Sequence, residues 1–162
     1  MLNARTGGLF VAAASTAILG AAFAFQYIGG LAPCVLCIYQ RYPYGIAIAL
    51  GLLAFALAKG PIARLALVFA GLGLLIGAGI AVFHVGVEQQ WWQGTAECGG
   101  IGGANLSLEQ LKAEILAAPA VRCDEVAWSL FGISMAGYNV LLALGLALVA
   151  FAAARGGRRR RR

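Results

Sequence analysis

Four long apolar stretches dominate the chain, at about 8–28, 38–58, 65–86 and 130–154. Each is near the ~20 residues that a helix needs to cross ~30 Å of hydrocarbon. In lipid the backbone must satisfy its own hydrogen bonds, so each stretch is expected to be a helix. Pro43 falls inside the second stretch and denies a hydrogen bond to the carbonyl of Tyr39, which predicts a kink or a break there. An even number of crossings returns the chain to the side where it began. The pattern therefore predicts one membrane domain over 1–162, an all-α four-helix bundle with both termini on one side.

The polar intervals are unequal. The link between the second and third stretches is little more than Gly60-Pro61, whereas 87–129 forms a long loop. The first stretch has an alternative reading. Arg5, an apolar core and Ala22-Phe23-Ala24 have the form of a signal peptide with an A-x-A site. The apolar run continues through Phe25, Tyr27 and Ile28, which suits a retained helix better.

Composition agrees with a membrane protein. Apolar residues make up 62% and charged residues 11%, against about 45–50% and 25% in soluble domains. The charges also fix a side. Arg5, Lys59, Arg64, Arg155 and the arginines at 158–162 fall on one face of the membrane, which the positive-inside rule makes cytoplasmic. Every acidic residue falls opposite: Glu88, Glu97, Glu109, Glu114, Asp124 and Glu125, beside Arg41, Lys112 and Arg122. The arginine tail reads as a topology anchor near anionic lipid. Five arginines without an accompanying fold give no ground for nucleic-acid binding.

This topology puts all four cysteines on the outer side, Cys34 and Cys37 in 31–41 and Cys98 and Cys123 in 87–129. In a bacterium that compartment is the oxidising periplasm, where disulfides persist. The two pairs are either exchanging disulfides or structural staples. A CxxC ring closes too little chain to act as a staple, which favours exchange.

Pro33-Cys34-Val35-Leu36-Cys37-Ile38-Tyr39-Gln40-Arg41 carries the chemistry. Pro33 suits a first helical turn, where its missing N–H costs nothing. A helix N-terminus lowers a thiol pKa. On one helix Cys34, Cys37 and Arg41 share a face. Arg41 either stabilises a thiolate, hydrogen-bonds a ligand carbonyl, or snorkels to the interface like Tyr39, Tyr42 and Tyr44. A c-type haem site needs His where Ile38 stands. The βαβ setting of a thioredoxin motif is absent. A zinc site using Cys98 and Cys123 draws little support from their spacing, and no metal is expected.

At the outer end of the third stretch, His84 precedes Glu88, Trp91 and Trp92. The tryptophans suit an aromatic belt. His84 is either an interfacial polar group or lines a shared site, being at the depth of Cys34, Cys37 and Arg41. Four glycines follow Cys98, at 99, 100, 102 and 103, and free the backbone there. Ser107-Leu108-Glu109-Gln110 has the form of a capping box. Leu108, Leu111 and Ile115 then predict a short amphipathic helix, lying on the membrane or packed on the bundle top. Gly73-Leu74-Leu75-Ile76-Gly77 is a small-residue packing signal.

The CxxC segment resembles the signature of the disulfide bond formation protein B (DsbB) family. His84-Val85-Gly86-Val87-Glu88, Trp92-Gln93-Gly94 with Cys98, and Cys123-Asp124-Glu125-Val126-Ala127-Trp128 through Met135 are similar to further parts of its pattern. The resemblance covers roughly 9–150. The arginine tail and the glycine-rich patch lie outside it. It implies a thiol:quinone oxidoreductase of the bacterial inner membrane that reoxidises a periplasmic, thioredoxin-fold, DsbA-like partner. It further implies that Cys98 forms the mixed disulfide with the partner and that Cys123, once released, attacks Cys34. Cys37 then faces the quinone, ubiquinone or menaquinone, which Arg41 and His84 hold. A DsbA-like oxidant at about −120 mV needs a downstream acceptor to drive its reoxidation. Two alternatives remain: a related membrane thiol oxidoreductase with another dedicated partner, and a non-catalytic protein stabilised by disulfides or a metal.

Overall fold

The computed structural model describes residues 3–58, 60–98, 107, 109, 112 and 121–156. The predicted amphipathic helix after Ser107, the glycines after Cys98 and the arginines at 158–162 lie largely or wholly outside them.

The chain is an all-α membrane bundle. Helix α1 spans Ala4–Tyr27, and Asn3 caps it: its side chain accepts from the Thr6 N–H at 2.9 Å while Thr6 reaches back to the Asn3 N–H. A short helix α2 covers Val35–Tyr39, and α3 follows over Tyr42–Leu57. Pro61 opens α4, which runs Pro61–Glu88, in the first-turn position where proline loses no bond. A 3₁₀ turn at Ala96–Cys98 and a hairpin, β1 (Ser129–Leu130) with β2 (Ile133–Ser134), precede α5 (Met135–Gly156).

Among the described residues three helices, α1, α4 and α5, are long and apolar enough to cross a membrane. The first and third stretches turn helical a few residues before their expected starts, and the second and fourth differ in kind. The second stretch, expected as one helix over 38–58, is broken at Gln40 and Arg41. Pro43 lies in the first turn of α3, so α3 begins afresh there and has 16 residues. The fourth stretch, expected from 130, turns helical only at Met135. Phe131 (φ 51°) and Gly132 (φ 77°) make a two-residue turn with both φ positive, the geometry that closes a tight hairpin. Ser134 Oγ then accepts from the Gly137 N–H at 3.1 Å, capping α5.

The long helices pack in the cyclic order α1, α3, α4, α5, with α5 returning to α1. Their common core is made of small and medium side chains: Val11, Ala47, Ala70, Leu74, Ala78, Ala143, Leu146, Ala147 and Ala150, joined by Tyr44. The outer faces carry exposed Phe10, Phe69, Ile76 and Leu148. On a soluble protein such a surface is a liability; here it matches lipid tails. Small residues let helix backbones approach closely. A Cβ placed on Gly8 meets the Gly51 carbonyl oxygen at 2.6 Å, and one on Gly51 meets that of Gly8 at 2.7 Å. Of the Gly73/Gly77 pair, Gly77 makes the close approach, to Pro43 of α3 at 3.0 Å.

This packing makes Gly8→Leu destabilising by at least ~1–3 kcal/mol, since a backbone carbonyl cannot turn aside. Gly20, with nothing within 4 Å of an added Cβ, serves as the control. Resistance to unfolding in mixed detergent should fall for Gly8→Leu and hold for Gly20→Leu; equal behaviour of the two contradicts the packing described.

Candidate functional site

The break between α2 and α3 lays the CxxC segment across one end of the bundle. Cys34 is the N-cap of α2, and its sulfur accepts from the Cys37 N–H at 3.2 Å. The Cys34 and Cys37 sulfurs are 2.8 Å apart as a dithiol. Cys34 is buried and Cys37 half-buried. Arg41 is not on the cysteines' helix, as the shared-face expectation had it; it is the N-cap of α3. It nevertheless lines the same cavity as both cysteines. Its guanidinium donates to Gln26 Oε1 at 2.6 Å and lies 4.9 Å from the centre of the Phe23 ring, so α1 holds it in place.

His84, on α4, is buried with Nε2 3.6 Å from Cys34 Sγ. The same nitrogen is 3.9 Å from Glu88 Oε1, one turn along α4. Glu88 in turn accepts from Ser134 Oγ at 2.5 Å, which ties α4 to the start of α5. Cys98 and Cys123 form a disulfide with Cα atoms 5.1 Å apart. Both are buried in one apolar cluster with Cys34, Leu36 and Val87, against which Cys37 packs. All four cysteines thus meet at one end of the bundle. Tyr39 O–H donates to Glu97 Oε2 at 3.0 Å, joining α2 to the turn that carries Cys98. Trp92 folds back over Gly86, and its Nε1–H donates to the Phe83 carbonyl at 3.0 Å.

The dithiol is electrically uneven. The hydrogen bond from the Cys37 thiol holds the Cys34 pKa below the ordinary thiol range against the opposing effect of burial, with His84 and the Cys37 N–H adding to it. The bond to Cys34 and burial push the Cys37 thiol up. Cys34 therefore carries the negative charge of the reduced pair. Since α2 has five residues, the hydrogen bond from the Cys37 thiol, rather than a long helix dipole, is the main cause.

A cavity of about 510 Å³ opens beside the pair. Ala17, Ile18, Ala21, Phe25, Leu31 and Leu142 are among its mainly apolar walls. Arg41, His84, Glu88 and Gln40 are among the residues that supply polar groups. That is the form of a small-molecule site, and it fits a flat apolar ring bearing carbonyl oxygens. Cys34, Cys37 and His84 also bring one ligand atom each within 4.8 Å of one another, close enough to share a soft metal ion.

Sequence reasoning missed Gln26, Tyr44, Ser134 and Asn139 and gave Gln40 and Glu88 no role in the site. The signal was present: polar groups within apolar, membrane-depth segments are costly and face the interior.

A family model described as Disulfide bond formation protein DsbB matches residues 4–153. The chain is 36% identical over 161 residues to Disulfide bond formation protein B 2 of Pseudomonas syringae pv. syringae (strain B728a), covering 92% of this chain and 88% of that relative. It is 35% identical over 146 residues to Disulfide bond formation protein B 2 of Pseudomonas entomophila (strain L48), covering 83% and 80%. To Disulfide bond formation protein B of Actinobacillus pleuropneumoniae serotype 5b (strain L20) it is 31% identical over 142 residues, covering 85% and 78%. No solved structure matches it.

The lowered Cys34 pKa and raised Cys37 pKa predict ordered alkylation of the reduced pair. A depressed pKa keeps the thiolate present as pH falls from alkaline through neutral, so Cys34 should react with iodoacetamide well below pH ~8.5, the ordinary thiol midpoint. Cys37 should stay unmodified over the same range. Peptide mapping after timed alkylation checks this; faster modification of Cys37 at neutral pH contradicts the assignment of charge.

Proposed function

We propose that this chain, which belongs to the DsbB family of disulfide bond formation proteins, reoxidises a soluble DsbA-like dithiol oxidant and passes the electron pair to a membrane quinone. The observation that carries the reading is the meeting of four cysteines, as one disulfide and one dithiol, beside a cavity that also holds Arg41 and His84. The membrane is the bacterial inner membrane, with the cysteine end periplasmic and both termini cytoplasmic. Arg5, Arg64 and Arg155 at one end and Glu88, Glu97, Asp124 and Glu125 at the other support that orientation.

In this reading the partner's thiolate attacks Cys98 and forms a mixed disulfide, and Cys123 leaves as a thiolate. The partner's second thiol closes its own disulfide and releases Cys98. Cys123 attacks Cys34 of an oxidised Cys34–Cys37 pair, and Cys37 leaves as the thiolate facing the cavity. Cys98 then displaces Cys34 from Cys123, which restores the outer disulfide and leaves the inner pair reduced. A bound quinone supplies the acceptor for the two electrons and two protons of that dithiol. Arg41 would hold a carbonyl oxygen of the quinone, with His84 in the cavity wall beside it, and the apolar walls would exclude water from the exchange. Burial of Cys34 beside a hydrogen-bond donor supports its part, because a stabilised thiolate leaves readily.

The Cys34, Cys37 and His84 cluster favours one other reading, a membrane protein that holds a metal ion and does not turn over. Thiol alkylation and metal analysis of the purified protein separate the two. Stoichiometric zinc, or cysteines that never exchange with added dithiol, supports the metal reading. A related oxidoreductase with a different dedicated partner is separated by asking which soluble dithiol protein the chain oxidises.

Anaerobic mixing of the purified protein, reduced partner and ubiquinone should reduce the quinone. With Cys37→Ser that reduction should fall to the rate without enzyme, while a partner whose second cysteine is replaced by serine should be trapped on Cys98 as a mixed disulfide. Quinone reduction at the wild-type rate by Cys37→Ser rejects the mechanism.

A further inference from the structure

Behind the cysteines runs a row of polar side chains that the exchange steps do not use. Tyr44 comes from α3, Asn139 from α5, Gln40 from the break between α2 and α3, and His84 from α4. Tyr44, Gln40 and His84 are buried and Asn139 is half-buried. Tyr44 O–H donates to Asn139 Oδ1. Asn139 Nδ2 donates to Gln40 Oε1 at 2.5 Å. Gln40 Nε2 lies 2.9 Å from His84 Nδ1.

An amide N–H only donates, so Nδ1 of His84 must accept, and a neutral imidazole then carries its one proton on Nε2. The far end of the row supports this direction. Nε2 faces the Cys34 sulfur at 3.6 Å and a Glu88 oxygen at 3.9 Å. A thiolate and a carboxylate both accept and neither donates. The opposite tautomer turns a ring lone pair toward both acceptors.

We propose that Tyr44, Asn139 and Gln40 form a directional hydrogen-bond chain that fixes His84 with its proton on Nε2, aimed at the Cys34 sulfur. Gln40 and Asn139 are positioning residues: they act on Cys34 through the imidazole. With Nε2–H in place, Cys34 receives a hydrogen bond whenever it is released as a thiolate. The proposal deepens the reading of this end as a thiol relay and rests on that reading for its consequence in turnover. The geometry it concerns is independent of partner and quinone.

The chain contains a single histidine, so histidine ring ¹⁵N labelling reports on His84 alone. In the detergent-solubilised dithiol protein at mildly alkaline pH, Nε2 should give the protonated, pyrrole-type signal and Nδ1 the pyridine-type signal. Gln40→Glu keeps the size but replaces the donor with an acceptor, so the proton should move to Nδ1. Asn139→Leu removes the group that orients Gln40 and should give averaged signals. In both variants, iodoacetamide should modify Cys34 roughly tenfold more slowly at neutral pH, the scale of one charge-assisted hydrogen bond. A wild-type protein protonated on Nδ1, or a Gln40→Glu protein with unchanged signals, overturns the proposal. Where Gln40→Glu fails to fold, Asn139→Leu and the wild-type spectrum decide it. A wild-type Nε2–H signal without quinone reduction sinks the relay reading alone; quinone reduction with the other tautomer sinks this proposal alone.

Discussion

A polar side chain at membrane depth has to find its partner inside the protein, and that constraint organises the cysteine end of this bundle. Leaving such a group unpaired in an apolar medium costs several kcal/mol. His84 and Glu88 lie on α4 near one another, and their further partners come from other elements. Gln40 comes from the break, Ser134 from the start of α5, and Cys34 from the cap of α2. Arg41 brings in α1 through Gln26. All the long helices are therefore held around the cavity by directional bonds, which fix register in a way that lipid-facing leucines cannot.

Away from the cysteines, small residues do the organising. At Gly8 and Gly51 the backbones of α1 and α3 come as close as sterics permit, while Gly77 takes Pro43. The same proline that ends one helix and starts the next is also a packing surface. A tight lower bundle and an open upper end follow from one distribution of side chains. Alanine and glycine line the first; Phe25, Arg41 and Tyr138 among others hold the second apart around its cavity.

The helices were legible because hydropathy and length leave few choices in lipid. Pro43 announced the break, yet periodicity carried the apolar reading through it and placed Arg41 on the cysteines' helix face. Phe131 and Gly132 hid a hairpin inside what reads as the start of a span, because two-residue strands leave too short an alternation to detect. The cysteines, Arg41 and His84 stood out by residue type. Asn139 and Gln26 did not, because an isolated amide in an apolar run carries no label for its partner. Those pairings join residues far apart in sequence, such as Tyr44 with Asn139, and only the packed bundle specifies them.

The outer disulfide has a mechanical side as well. Cys98 and Cys123, 25 positions apart, close the intervening chain into a ring hung from the bundle. Breaking that bond replaces the closed ring with a longer connection between α4 and α5. One end remains tied to α4 through Trp92, the other to α5 through the hairpin. Neither sulfur can diffuse away, so each stays at an effective concentration on the order of millimolar for the other and for the inner pair. Reduction thus changes the length of a tether, and reclosure needs no encounter with a second molecule.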